Sequence, residues 1–416
     1  MMKKMTLLGS LVLVALSGCQ STAPMAAAPV AAAPTAAPAS PPPAWQQGRT
    51  SAQATSPLAP VAGKLTVTPA ADIKLDRLKL PPGFKIELWS TGTPGVRSMV
   101  RGESGKIYAG TRPLGRVYEI SDNGGQRTSR VVVDKLDQPA TAMYKGNLYV
   151  MSVDKVLRYD GIENNPNVQP VDMTAVFKLP PEKHHNWKYL RFGPDGKIYV
   201  PFGAPCNICE LPTSEYAQIR RYNPDGSGME VLATGVRNTQ GFDWHPVTQE
   251  LWFTNHSRDW VGDDLPEDGL NRLSAKGQNF GFPYCHVGGL PDPDIKKANA
   301  CAGVTPVVLP MGGHTAVMGL DFYTGNMFPA EYKNAMIVAR KGSWNRTTKS
   351  GYDVVMIKAD ADGKNAKMTP FITGFLDSKD QSFSGRPVYT LQMPDGSMLL
   401  SDEQMGAIYR ISYAKL

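Results

Sequence analysis

The most regular feature of the chain is a short apolar strand that recurs behind a turn residue. GKIYAG begins at Gly105, GNLYVM at Gly146, GKIYVP at Gly196, QELWFT at Gln249, NAMIVA at Asn334 and GSMLLS at Gly396. In each, aromatic and β-branched residues recur with a period of two, the spacing of a half-buried strand. Helical periodicity is scarce. The separations of 41, 50, 53, 85 and 62 residues suit one propeller blade apiece, with longer insertions late in the chain. The pattern predicts an all-β, six-bladed β-propeller; a β-sandwich of this length has no need of a near-identical motif six times.

Ahead of the repeats the pattern changes. Lys3 and Lys4 precede an apolar run from Leu7 to Leu16 that stops at Leu16-Ser17-Gly18-Cys19. The run is too short to span a bilayer and has the charged and apolar regions of a secretory signal. LSGC resembles the bacterial lipobox, which makes 1–18 a lipoprotein signal peptide and Cys19 the lipidated first residue of the mature chain. An ordinary signal peptide with an incidental cysteine is the alternative. Gln20, in place of aspartate, points by the known sorting pattern to the periplasmic side of the outer membrane of a Gram-negative cell. Residues 19–72 are rich in Ala, Pro and Ser, cannot bury a core, and are expected to form a partly extended tether. The propeller is expected over 73–416.

Charge and cysteines narrow the partners. A formal charge of +7 over 416 residues is mild and forms no basic stripe, so nucleic acid is not an expected partner. Membrane association is expected through the lipid anchor alone. Cys206, Cys209, Cys285 and Cys301 in an exported chain favour two disulfides with three possible connectivities, of which 206–209 and 285–301 close the shortest loops. A zinc site is the rival, less at home in an oxidising compartment. Glu210 follows Cys209, so no CxxCH is present and no covalent c-type haem is expected. Electrons taken from a substrate would leave to an external acceptor, a quinone or a cytochrome.

The polar residues gather near blade boundaries: His184 and His185, then GVRNTQGFDWHP from Gly235, TNHSRDWVGDDLPEDGLN from Thr254, ARKGSWNR from Ala339 and SGRP from Ser384. In a closed propeller such loops converge at one end of the channel. Arg237, Lys341 and Arg386, with the amides of Asn238 and Gln240, suit a flat ligand bearing several carboxylates. Singly, each is more often a surface charge. His185 could take the proton that leaves an alcohol or lactol as hydride departs; a structural histidine bonded to a turn is the alternative. His245, with Asp243 and Trp244, belongs to strand packing. The acidic loop of Asp259, Asp263, Asp264, Glu267 and Asp268 offers oxygen donors of the kind calcium takes, without EF-hand spacing, and a solvated loop explains it equally well.

HHNWKYLRFGPDGKIYVPFGAPCNICE, GVRNTQGFDWHP, RDWVGDD, NFGFPYCH, GSWNR and SGRP, in that order, closely resemble the sorbosone dehydrogenase-like branch of the quinoprotein sugar dehydrogenases. The likeness runs from about Leu80 to Tyr413. It implies a six-bladed propeller using pyrroloquinoline quinone (PQQ) with Ca²⁺ to oxidise an aldose or sugar aldehyde at C1. By the same resemblance His185 is the catalytic base, and His184 stands where glucose dehydrogenase has an aspartate. Arg237 polarises the quinone carbonyl, Asn238 and Gln240 flank it, and Lys341 and Arg386 hold the PQQ carboxylates. Ser257 and Arg258 align with the pair whose backbone carbonyls bind Ca²⁺. The chain departs from related sequences in the loop 254–271, at Lys341, where the nearest branch has histidine, and at Val388, where a second basic residue is usual. A non-catalytic, ligand-binding propeller of the cell envelope is the second reading. A calcium-dependent lactone hydrolase is the third, and the cations argue against it.

Overall fold

The computed structural model describes residues 43–212 and 214–414. The signal sequence and Cys19 lie outside them.

Six sheets of four antiparallel strands form the blades, and the third gains a short fifth strand, Gln278–Asn279, parallel to Glu230–Thr234. Each begins with an inner strand, and these are Val96–Arg101, Ala140–Tyr144, Arg191–Phe192, Phe242–Trp244, Val317–Phe322 and Pro387–Gln392. The second strands are Ile107–Thr111, Asn147–Met151, Ile198–Phe202, Leu251–Asn255, Met336–Arg340 and Met398–Asp402. These are the six motifs of the sequence. The turn residue before each is in the left-handed region: Gly105 (φ 93°), Gly146 (72°), Gly196 (72°), Gln249 (59°), Asn334 (59°) and Gly396 (84°). A tight connection between inner and second strand demands that conformation, and glycine adopts it without a Cβ clash.

Phe84–Ser90 is the outermost strand of the sixth blade, antiparallel to Ala407–Tyr413 with Phe84 opposite Tyr413. The first strand thus closes the ring onto the last, which leaves the sixth and first blades side by side. The longest gap between motifs falls in the fourth blade. There residues 274–308 intervene between Glu267–Leu273 and Leu309–Gly313, and they contain the pair Cys285–Cys301. Both expected disulfides form, with Cα–Cα distances of 6.1 Å for 206–209 and 5.1 Å for 285–301. Between blades the core is aromatic: Tyr144 of the second blade stacks on Phe192 of the third at 4.2 Å, and Phe328 of the fifth meets Phe84 of the sixth edge-on at 4.8 Å. Removing one such ring typically costs about 3–5 kcal/mol.

The tether expectation fails for its C-terminal part. Residues 43–63 lie against the propeller, because Trp45 and Arg49 give this stretch aromatic and cationic groups that the Ala/Pro run lacks. The Trp45 ring meets Trp344 edge-on at 5.7 Å, and Arg49 lies 4.2 Å over Trp260. The Asn207 side chain donates to the Gln47 carbonyl at 2.6 Å.

Candidate functional site

One cavity of about 260 Å³ opens where the loops between blades converge. His184, His185, Arg237, Asn238, Gln240, Ser257, Lys341 and Arg386 all line it. The fold brings these predicted residues together from the third, fourth, fifth and sixth blades.

His185 sits in the loop before the third blade, at φ 49°, a conformation that costs a non-glycine residue energy and persists only where its surroundings hold it. Part of that support comes from Gly203, where a Cβ would lie 2.1 Å from the His185 carbonyl oxygen. Below the loop, the fully buried Lys188 ammonium donates to Val153 O at 2.9 Å and Asn186 O at 3.0 Å. Burial lowers that amine to about 7. His185 Nδ1 lies 3.2 Å from the Ala204 carbonyl oxygen. A carbonyl only accepts, so Nδ1 carries the proton and Nε2 keeps the lone pair. Burial first, then His184 and Arg237, push the His185 imidazole well below its ordinary value. The ring is therefore neutral at neutral pH and able to accept a proton. His184, centred 3.9 Å from His185, is lowered to about 4 by burial, then by Arg237 and Arg112.

Arg237 is held by the protein itself. Its Nε donates to Asn207 O at 2.9 Å, Nη2 to Asn207 Oδ1 at 2.7 Å and Nη1 to Ser257 O at 2.7 Å. Two longer contacts, to His256 O and to Asp259 Oδ2, are both 3.4 Å. Asn238 and Gln240 also look to each other, with Gln240 Nε2 donating to Asn238 Oδ1 at 2.5 Å. His256 accepts from Asn238 through Nδ1 and donates from Nε2 to Val317 O. From Arg237 to His256 this side of the cavity is a connected hydrogen-bond network.

The opposite wall is a crowd of cations. Lys341 pairs with Glu403, whose carboxylate also faces Arg97 at 3.9 Å and Arg112 at 4.0 Å. Arg386 donates from Nη2 to Gly342 O at 2.8 Å and adds its charge. Burial pushes the Glu403 carboxyl up, but Lys341, Arg97 and Arg112 outweigh it and hold the group well below the carboxylate range. Burial, with Arg97 and Arg386 alongside, lowers the Lys341 ammonium well below its own ordinary value despite Glu403. The two shifts have different causes, burial for Lys341 and the neighbouring cations for Glu403, while the ion pairs place one carboxylate among Lys341, Arg97 and Arg112.

Arg97, Arg112 and Glu403 were not singled out in the sequence. Neither were Trp45, Pro60 and Val61, which also line the cavity. The tryptophan in an otherwise Ala/Pro-rich run was the available signal for the last three.

The fit to the implied groups differs. Surplus cations and orphaned polar atoms suit PQQ: the donors Arg97 Nε and Trp187 Nε1, and the ring nitrogen His184 Nε2, are buried without a hydrogen-bond partner, and buried polar atoms normally have one. The Ser257 carbonyl, one of the pair aligned with a calcium site, does not fit an ion as arranged. Ser257 O already accepts from a guanidinium, which repels a second cation. The Arg258 side chain is spent on Asp292 and Asp294 at 2.8 and 2.7 Å. Asp268 accepts from Ser257 N and Ala316 N, and Asp259 from Asn345 and Arg237. Among the described residues no group of three or more His, Cys, Asp or Glu could hold a metal ion.

Residues 154–343 match the glucose/sorbosone dehydrogenase family. The chain is 31% identical over 365 residues to an uncharacterized protein of Borreliella burgdorferi, covering 84% of this chain and 95% of that one. Over 193 residues, 45% of each chain, it is 26% identical to an aldose sugar dehydrogenase of Escherichia coli. Among solved structures, the holo form of the pyranose dehydrogenase PQQ domain from Coprinopsis cinerea matches with a TM-score of 0.66 at 17% identity. That match covers 80% of this chain and 97% of that one and is a likeness of fold.

Proposed function

The chain belongs to the glucose/sorbosone dehydrogenase family, and from that premise we propose that it is a PQQ-dependent dehydrogenase that oxidises an aldose or a sugar aldehyde at C1. The observation that carries this reading is a cavity with a neutral imidazole on one side and, on the other, basic residues crowded round one carboxylate. Lys341 and Arg386 would hold the carboxylates of PQQ, joined by the orphaned donors beside them. When bound, PQQ supplies the two-electron acceptor that no side chain here provides.

The chain's own residues divide the remaining work. His185 Nε2 takes the proton of the C1 hydroxyl, that of the lactol or of the hydrated aldehyde, while the hydrogen on C1 leaves with its electron pair, so that C1 becomes the carbonyl of a lactone or of a carboxylic acid. Arg237 donates through strong bonds to Asn207 and Ser257 and keeps two long ones, at 3.4 Å, that can be re-aimed at a ligand carbonyl. Its orientation is fixed in advance, which is what electrostatic stabilisation requires. Trp45 and Trp344 line the cavity and give it an apolar flank against which the C–H face of a sugar ring can rest. Electrons then pass to an external quinone or cytochrome.

Purified protein given PQQ should reduce a redox dye in the presence of an aldose, and His185→Ala should cut kcat by roughly 100- to 10,000-fold while still binding PQQ. No dye reduction across a broad panel of aldoses and sugar aldehydes, with PQQ added and with or without Ca²⁺, would overturn the reading. Export and lipid anchoring at Cys19, on the periplasmic side of the outer membrane, belong to the same proposal. Cys19→Ser should move the protein from the membrane fraction to the soluble one, and unchanged fractionation would refute the anchor.

A further inference from the structure

We propose that Arg97, stacked on Trp187, is a carboxylate-binding residue of this cavity, contributed by the first blade. The proposal rests on the reading that the ligand is PQQ, a tricarboxylate. Ring closure places the inner strand Val96–Arg101 against the sixth blade, where Ser401 Oγ donates to the Arg97 carbonyl at 2.8 Å. The guanidinium lies 4.3 Å over the Trp187 ring, an arrangement that fixes the plane of the fork. Its Nη2 has only long contacts, 3.4 Å to Gln240 Oε1 and 3.6 Å to Met318 Sδ.

The decisive feature is what these groups lack. Arg97 Nε and Trp187 Nε1 are both buried, both belong to residues lining the cavity, and neither has a hydrogen-bond partner. Two unpaired N–H donors on side chains in contact leave room for an acceptor, and a carboxylate bonded to a guanidinium is the strongest such partner. Glu403 does not serve them, since its oxygen stands 3.9 Å from Arg97 Nε and is engaged by Lys341. Nor does Asp402, whose oxygens accept from the backbone of Arg386 and from the Tyr409 hydroxyl. Four cations, Arg97, Arg112, Lys341 and Arg386, surround one available carboxylate, so charge as well as hydrogen bonding asks for an anion here. A neutral acceptor would satisfy the N–H groups and leave the potential unrelieved.

The test is calorimetric titration of the intact protein with PQQ and with its trimethyl ester, for the parent, Arg97→Gln and Arg97→Lys. The parent should prefer the free acid. Arg97→Gln should raise the Kd for PQQ by roughly 10- to 100-fold, with a much smaller change for the ester. Arg97→Lys, which keeps charge but loses the planar fork, should fall between them. Thermal unfolding midpoints within about 3 °C of the parent would show that the variants fold; Arg97→Lys carries the test if Arg97→Gln does not. Parent-like Kd values for PQQ in both variants would overturn the role of Arg97 and leave the wider reading intact. A parent that does not bind PQQ at all would overturn both.

Discussion

The two walls of the cavity are built on opposite principles. On the side of the third and fourth blades, Arg237 gives its hydrogen bonds to Asn207, Ser257, His256 and Asp259, and Asp268 and the His256 imidazole are likewise paired. Across the cavity, Arg97, Arg112, Lys341 and Arg386 share Glu403, and buried donors go unmatched. The first wall spends its polar groups on itself and so is rigid in the absence of any ligand. The second holds charge in reserve. A site that must orient a reacting group and also capture an anion needs both, and here the paired guanidinium of Arg237 supplies the first and the cations around Glu403 the second.

The two walls should differ most in what their loss costs in stability. Arg237→Ala strands the Asn207 and Ser257 carbonyls and the Asp259 carboxylate in a buried setting. Removing one partner from such a group costs about 3–5 kcal/mol, read as a shift in the urea midpoint with unchanged m-value. Arg97→Gln on the reserve wall removes a buried charge from a crowd of like charges, and its cost should stay within about 1 kcal/mol. Equal losses from the two substitutions would mean that both walls are structural and that the division is false.

Much of this was legible before any coordinates. The six turn-plus-strand motifs marked the second strand of every blade because one geometric demand, a left-handed residue before an alternating strand, is imposed six times. Gln249 and Asn334 satisfy it without being glycine, and the apolar run after them still gave them away. The residues that resemble known motifs, His185, Arg237, Lys341 and Arg386, converge as expected. Arg97 and Arg112 escaped notice because they sit in ordinary strand and loop context about 290 residues from Arg386, and only ring closure makes them neighbours. Glu403 follows the last motif and reads as a surface charge until Lys341 is seen beside it. The strap over 43–63 was hidden by composition: a few aromatic and cationic anchors decide its fate, and an average over Ala and Pro dilutes them. The state of Ser257 was beyond reach in the same way, since a carbonyl's availability depends on what donates to it.

Acid should separate the walls without mutation. The His184 imidazole is lowered to about 4 in the folded protein, against about 6.5 when unfolded. Between those values the unfolded chain binds a proton that the folded one refuses, so stability is full above pH 6.5 and falls as pH drops towards 4. Glu403 behaves differently. Its folded value lies well below the ordinary 4.5, so its contribution is present above that value and is lost only as pH falls far beneath it. The histidine wall therefore weakens first, in a window where the ion pairs of the cationic wall are still intact. Because the His184 ring is partly exposed, its contribution across that window is on the order of 1–3 kcal/mol. Urea unfolding at several pH values from 7.5 to 4.5, for the parent and for His184→Gln, measures it. The parent should lose stability more steeply than the variant between pH 6.5 and 4.5, and coincident slopes would show that the imidazole is not held neutral by its surroundings.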